Sequence, residues 1–166
     1  MIRRLHHNAY RCRDSEETRR FYEEFLGLPL AGTLEIKETK SGRKTKTLHT
    51  FYELDEREYL AFFEAPDRAF DFKEQHDYDL HIAVEVSHDD LLRMFEKGKQ
   101  AGIETRGISD HGFIDSIYFR DPNGYVIELT AKMPYHDAAM NPAINDARAK
   151  LDRWEAEKRG AEARTD

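Results

Sequence analysis

The sequence predicts an α+β fold in which one βαβββ unit is used twice and followed by a C-terminal helix. Three observations carry this reading. His7 and His81 lie 74 residues apart, and Phe21 and Phe95, each midway along a predicted helix, repeat that offset. A shared spacing at two points marks an internal repeat. Each copy also opens with a strand-length segment that passes directly into helical periodicity, and three further strand-like runs follow.

The first copy spans about residues 4–66. Residues 5–13 read as a strand. Asp14 then starts a helix, with Glu17 three residues on as a capping box. Thr18, Phe21, Tyr22 and Phe25 supply its apolar face, and Gly27 its C-cap. The strand runs Thr33–Lys37, Thr45–Leu54 and Glu58–Ala65 follow, with a turn at Ser41-Gly42-Arg43-Lys44. The polar segment Pro66–Asp79, which contains His76, reads as a linker. The second copy spans about residues 79–132. Residues 80–86 form its first strand, and Ser87 caps a helix carrying Leu91, Leu92 and Phe95 and ending at Gly102. Ile103–Arg106, Ile114–Arg120 and Gly124–Thr130 are its remaining strands, the last two joined by the tight-turn signal Asp121-Pro122-Asn123-Gly124. Residues 1–132 thus read as one domain and 133–166 as an extension with a helix at about 143–158, bearing Leu151 and Trp154.

Composition narrows the class. A chain of 166 residues with 39% hydrophobic content builds one domain with a real core. No apolar stretch reaches the ~18 residues of a membrane span, and no apolar segment follows Arg3 and Arg4, so no signal peptide is expected. The single cysteine, Cys12, forms no internal disulfide and suits a reducing cytoplasm. A net charge of -7 argues against non-specific nucleic-acid binding. The expected partner is a small molecule.

Strand parity selects candidate ligands. Side chains alternate faces with period two. Ile82, Val84 and Val86 form the apolar face that packs on helices, which turns His81 to the opposite, concave side; His7 holds the same place in the first copy. In the last strand Tyr125, Ile127 and Leu129 face the helix, leaving Glu128 on the concave side. Two histidines and one carboxylate form the facial set suited to Fe(II); Mn, Ni, Co and Zn accept it too. His6 is expected to face away from His7, and Cys12 to be buried on the helix side with Tyr10.

The segments His7–Asp14 with Phe21-Tyr22 and Leu26-Gly27, then Leu80-His81-Ile82-Ala83-Val84, then Asp121-Pro122-Asn123-Gly124-Tyr125-Val126-Ile127-Glu128 resemble the vicinal-oxygen-chelate superfamily of glyoxalases, bleomycin-resistance proteins and extradiol dioxygenases. That resemblance implies two modules curved into an incomplete eight-stranded barrel around a metal held by His7, His81 and Glu128, often in a homodimer. The spacing from His111 through Ile117-Tyr118 and Asp121-Pro122 to Glu128 resembles the type I extradiol dioxygenase signature. It implies that His111 moves a proton and that Tyr118 positions a catechol-like diol. Ser109, two residues before His111, departs from that signature, and the chain holds two modules where the best-known members hold four. Glyoxalase I enzymes add a fourth ligand, for which Glu64 is the candidate. Aligning Tyr59–Phe62 with Tyr125–Glu128 instead puts Phe62 at ligand depth. A glyoxalase- or epimerase-type lyase or isomerase acting on an enediolate, a fosfomycin-type thiol transferase and a non-enzymatic drug-binding module are the alternatives. His49 and His136 are further candidates for the pocket.

Overall fold

The computed structural model describes residues 1–74 and 76–162. It contains two four-stranded sheets built to the same plan. The first comprises β1 (His7–Cys12), β2 (Leu30–Glu38), β3 (Lys44–Glu53) and β4 (Tyr59–Glu64), in the order β1-β4-β3-β2. The second comprises β5 (His81–Glu85), β6 (Thr105–Asp110), β7 (Ile114–Arg120) and β8 (Val126–Lys132), in the order β5-β8-β7-β6. Strand for strand, the second order repeats the first, as the 74-residue offset predicts. In the first sheet β1 pairs parallel with β4, while β3 is antiparallel to both its neighbours. The chain divides into two compact units: Met1–Ile82 with Phe119–Ile127, and Ala83–Tyr118 with the residues from Glu128 onward.

Each crossover helix forms where its cap stands. The Asp14 side chain accepts from the Glu17 N–H at 2.8 Å and starts α1 (Ser15–Arg19), which continues as a π-helical turn over Arg20–Phe25. The reciprocal half of the expected capping box is absent, because the Glu17 carboxylate takes Arg13 instead. Gly27, at φ 85°, ends the segment in a conformation that favours glycine. Ser87 accepts from the Asp90 N–H at 3.1 Å and caps α2 (His88–Gln100). The C-terminal helix begins later than expected. A short α3 (His136–Ala139) precedes it, and Asp146 at φ 53° breaks the chain before α4 (Ala147–Glu162), where the Asn145 side chain accepts from the Ala147 N–H. No described helix is long and apolar enough to cross a membrane.

The core of the first unit joins its helix to the Asp-Pro-Asn-Gly turn. Tyr22, fully buried, packs its ring 4.6 Å from Phe62 and 5.4 Å from Tyr52. Its hydroxyl donates to Asp121 at 3.0 Å. Asp121 also accepts from the N–H groups of Asn123 and Tyr125 and from the Asn123 amide. Asn123 in turn accepts from the Arg13 N–H at 2.8 Å. Burial pushes the Asp121 pKa up, and these donors work against that shift. Gly124 completes the turn at φ 96°; a Cβ there would sit 2.6 Å from the Lys73 nitrogen, because the linker crosses directly over the turn.

Candidate functional site

Register decides which side chains of the first sheet share a face. Phe62 packs on Tyr22, so the face carrying Leu60, Phe62 and Glu64 is the helix side. Pairing of Cys12 with Glu64 and of Tyr10 with Phe62 puts both β1 residues there as well. Cys12 is accordingly buried, and desolvation pushes its thiol up to about 11. His7, Ala9 and Arg11 occupy the opposite face, across from Tyr59, Ala61 and Phe63. His49 and Phe51 of β3 share it, with their rings 6.1 and 5.5 Å from that of His7.

Three expectations change here. Phe62 does not stand at ligand depth on the His7 face; Ala61 and Phe63 flank that position. Glu64 lies on the helix side, where its carboxylate accepts from the Ser15 N–H at 2.8 Å at the start of α1. That contact turns its carboxylate to α1, on the face opposite His7. His6 does not face away: it precedes β1, and its Nδ1 lies 2.8 Å from the Nδ1 of His7.

The histidines of this unit are oriented through one ring nitrogen. The Nδ1 of His81 lies 2.8 Å from the Asp77 carbonyl oxygen, which only an N–H can donate to, so the lone pair of the neutral ring is on Nε2. The Nδ1 of His49 lies 2.9 Å from the Phe62 carbonyl oxygen and fixes its tautomer in the same way. The His49 ring also stacks on Phe63 at 3.6 Å and 11°. It is 5% exposed, and burial lowers its pKa, the bond to Phe62 opposing that shift.

In the second unit, Ser116 of β7 and Thr130 of β8 touch at 3.2 Å and mark a shared face. Period two puts Tyr118 and the buried Glu128 on that face too. His111, in the turn between β6 and β7, reaches back so that its Nε2 lies 2.9 Å from the Tyr118 hydroxyl. The Arg106 guanidinium lies 5.3 Å from the centre of the Tyr118 ring. His136 opens α3 with its ring 6.2 Å from Phe113, beside the His111 turn. β6 runs to Asp110, past the predicted end at Arg106. Gly107 permits its close approach to β7: a Cβ there would meet the Ser116 carbonyl at 2.7 Å.

His111 and Tyr118, which the resemblance to the extradiol signature singles out, are within hydrogen-bond distance of each other. His7 and His81 belong to the first unit and Glu128 to the second. Among the described residues, no three His, Cys, Asp or Glu side chains gather into a metal-binding group. His49 is the residue whose place the sequence leaves open. Its signal is the pairing of β3 with β4, which no single-strand pattern contains.

Comparison with known proteins agrees with the duplicated fold. Residues 4–129 match the model of the Glyoxalase/Bleomycin resistance protein/Dioxygenase superfamily. The chain belongs to this superfamily. Among solved structures it is similar to FosX, a genomically encoded fosfomycin resistance protein from Listeria monocytogenes, at 21% identity and a TM-score of 0.63, covering 82% of this chain and 98% of that one. A glutamate-to-glutamine mutant of that protein, complexed with Mn(II) and 1S,2S-dihydroxypropylphosphonic acid, matches at 20% identity and a TM-score of 0.62, over 83% and 99% of the two chains. A superfamily domain from Frankia sp. EAN1pec matches at 20% identity and a TM-score of 0.64, over 80% and 100%. At these identities the likeness is one of fold. No curated protein matches the chain.

Proposed function

We propose that this superfamily member is a divalent-metal enzyme in which His7, His81 and Glu128 hold one metal and the His111–Tyr118 pair handles a proton at a catechol-like diol, which is cleaved with dioxygen in the extradiol manner. The observation that carries the proposal is the 2.9 Å contact between the His111 Nε2 and the Tyr118 hydroxyl. The donor chemistry fits a metal. The Asp77 carbonyl accepts from the His81 Nδ1–H, which leaves the ring's lone pair on Nε2, the tautomer pattern of histidines oriented to bind a metal. Glu128 supplies a buried carboxylate. When bound, the ion supplies charge and adjacent coordination positions for the reactants. Fe(II) is the proposed ion, with Mn, Ni, Co or Zn as substitutes. His111 takes a proton from the diol and returns it, with Tyr118 as the partner that fixes the ring and meets the substrate hydroxyl.

The second reading is an isomerase, lyase or transferase acting on vicinal oxygens. It draws on the FosX complex, whose bound dihydroxypropylphosphonic acid is itself a vicinal diol in a complex with Mn(II). The glyoxalase I variant of this reading is weakened by Glu64, which serves α1 instead. Protein reconstituted anaerobically with Fe(II) and mixed with oxygen and a panel of catechols separates the readings. Oxygen uptake and yellow ring-cleavage products, lost in His111→Ala, support the dioxygenase. Bound metal without oxygen uptake supports the second reading, and a chain that binds catechols but no metal is a binding module.

A further inference from the structure

α4 lies beyond the superfamily match, which ends at residue 129, and it is a helix without cover. From Ala147 to Arg159 every side chain but Glu155 is exposed, Leu151 at 53% and Trp154 at 61% among them. A helix of this length is marginal in water unless an apolar face packs on something. α4 carries such a face. Ala147, Leu151, Trp154 and Lys158 follow one another at spacings of four, three and four, the d and a positions of a heptad seam, with the aliphatic stem of Lys158 as its last member. The residues flanking the seam change sign along it. The e positions hold Arg148 and then Glu155, and the g positions hold Lys150 and then Glu157. Arg148 pairs with Asp152 and Glu155 with Lys158 on the same helix, contacts at the surface that contribute little each.

We propose that α4 is an interaction surface that pairs antiparallel with the α4 of a second copy of this chain. Charge complementarity selects that occupant. An antiparallel pair brings e to e and g to g, so Arg148 meets the partner's Glu155 and Lys150 meets the partner's Glu157. The two-fold axis makes each contact twice. The same register sets Leu151 against the partner's Trp154 and the long stem of Lys158 against the partner's Ala147, so that large and small side chains face each other. A parallel pair would join Lys150 to Glu155 and leave Arg148 without an opposite charge. Trp154 and Leu151, both exposed in the single chain, become the buried centre of the interface.

The test uses the full chain at low salt and needs neither metal nor substrate, so its outcome is separate from that of the proposed function. Sedimentation across a concentration series gives the mass. Trp154, the chain's one tryptophan, reports on α4 through its emission. In the wild type, emission should shift to the blue over the same concentrations at which the mass rises. Arg148→Glu with Lys150→Glu makes all four flanking positions acidic and should weaken association about tenfold, equivalent to about 1.4 kcal/mol. Arg148→Glu with Glu155→Arg exchanges the two signs at e. It keeps every antiparallel pair and should associate as the wild type does, whereas it would set Lys150 against an arginine in a parallel pair. Trp154 emission that does not change with concentration overturns the inference, because α4 is then free or covered by its own chain. A rise in mass without a shift in emission also overturns it, since the chains then join elsewhere. So does wild-type association in the all-acidic variant, or a loss in the exchanged variant as large as in the acidic one.

Discussion

Removing one oxygen atom from Tyr22 tests how the helix is tied to the Asp-Pro-Asn-Gly turn. In Tyr22→Phe the ring still packs on Phe62 and Tyr52, but Asp121 loses a donor at 3.0 Å while keeping those from Asn123 and Tyr125. A hydrogen bond to a charged buried group contributes about 1.5–3 kcal/mol. For a chain of this size that lowers the melting temperature by roughly 3–12 °C. The pH dependence gives the cause. Asp121 has a raised folded-state pKa, driven by burial and opposed by its donors, Tyr22 among them. A raised carboxyl pKa penalises the folded state above that pKa, and the penalty is relieved as pH falls through it. Losing the Tyr22 donor raises the pKa further, so the variant is destabilised most at neutral pH, and its deficit shrinks on acidification. Urea denaturation followed by circular dichroism between about pH 7 and pH 5 measures both effects. A deficit below about 0.5 kcal/mol at neutral pH, or one that grows on acidification, refutes the account of this network.

Three further outcomes are expected. Gly124→Ala places a methyl group against the Lys73 backbone at a positive φ, and should cost roughly 1–3 kcal/mol in chemical denaturation. His111→Ala should lower turnover by about 10²–10⁴-fold with the metal content unchanged, and Tyr118→Phe should lower it less, as steady-state oxygen uptake will show. Cys12, 1% exposed with its thiol pushed up to about 11, should resist thiol reagents under mildly alkaline conditions in the native protein and react once urea unfolds it.

Much of the fold is legible in the chain because its signals are local. Asp14 and Ser87 cap helices where their side chains reach the third N–H, and Asp121 to Gly124 turn where their residue types demand it. The two halves share one strand order because they share one pattern. The face of β4 is not legible, for a physical reason. Tyr59-Leu60-Ala61-Phe62-Phe63-Glu64 is apolar on both sides, so periodicity cannot say which side meets the helix. Only the pairing with β1 and the contact of Phe62 with Tyr22 decide it. Glu64 and His49 depend on that same non-local register, which is why one is misplaced and the other left open by pattern alone. The His111–Tyr118 contact adds to what the resemblance implies, which is a separate role for each residue and no contact between them.

The most direct test of the central claim is metal stoichiometry. Chains reconstituted with one divalent metal under argon, then desalted, should hold about one ion each. His7→Ala, His81→Ala and Glu128→Ala should each lose it, while Glu64→Ala, whose carboxylate faces α1, should keep it. Retention of the ion in Glu128→Ala together with its loss in Glu64→Ala would contradict the proposed ligand set.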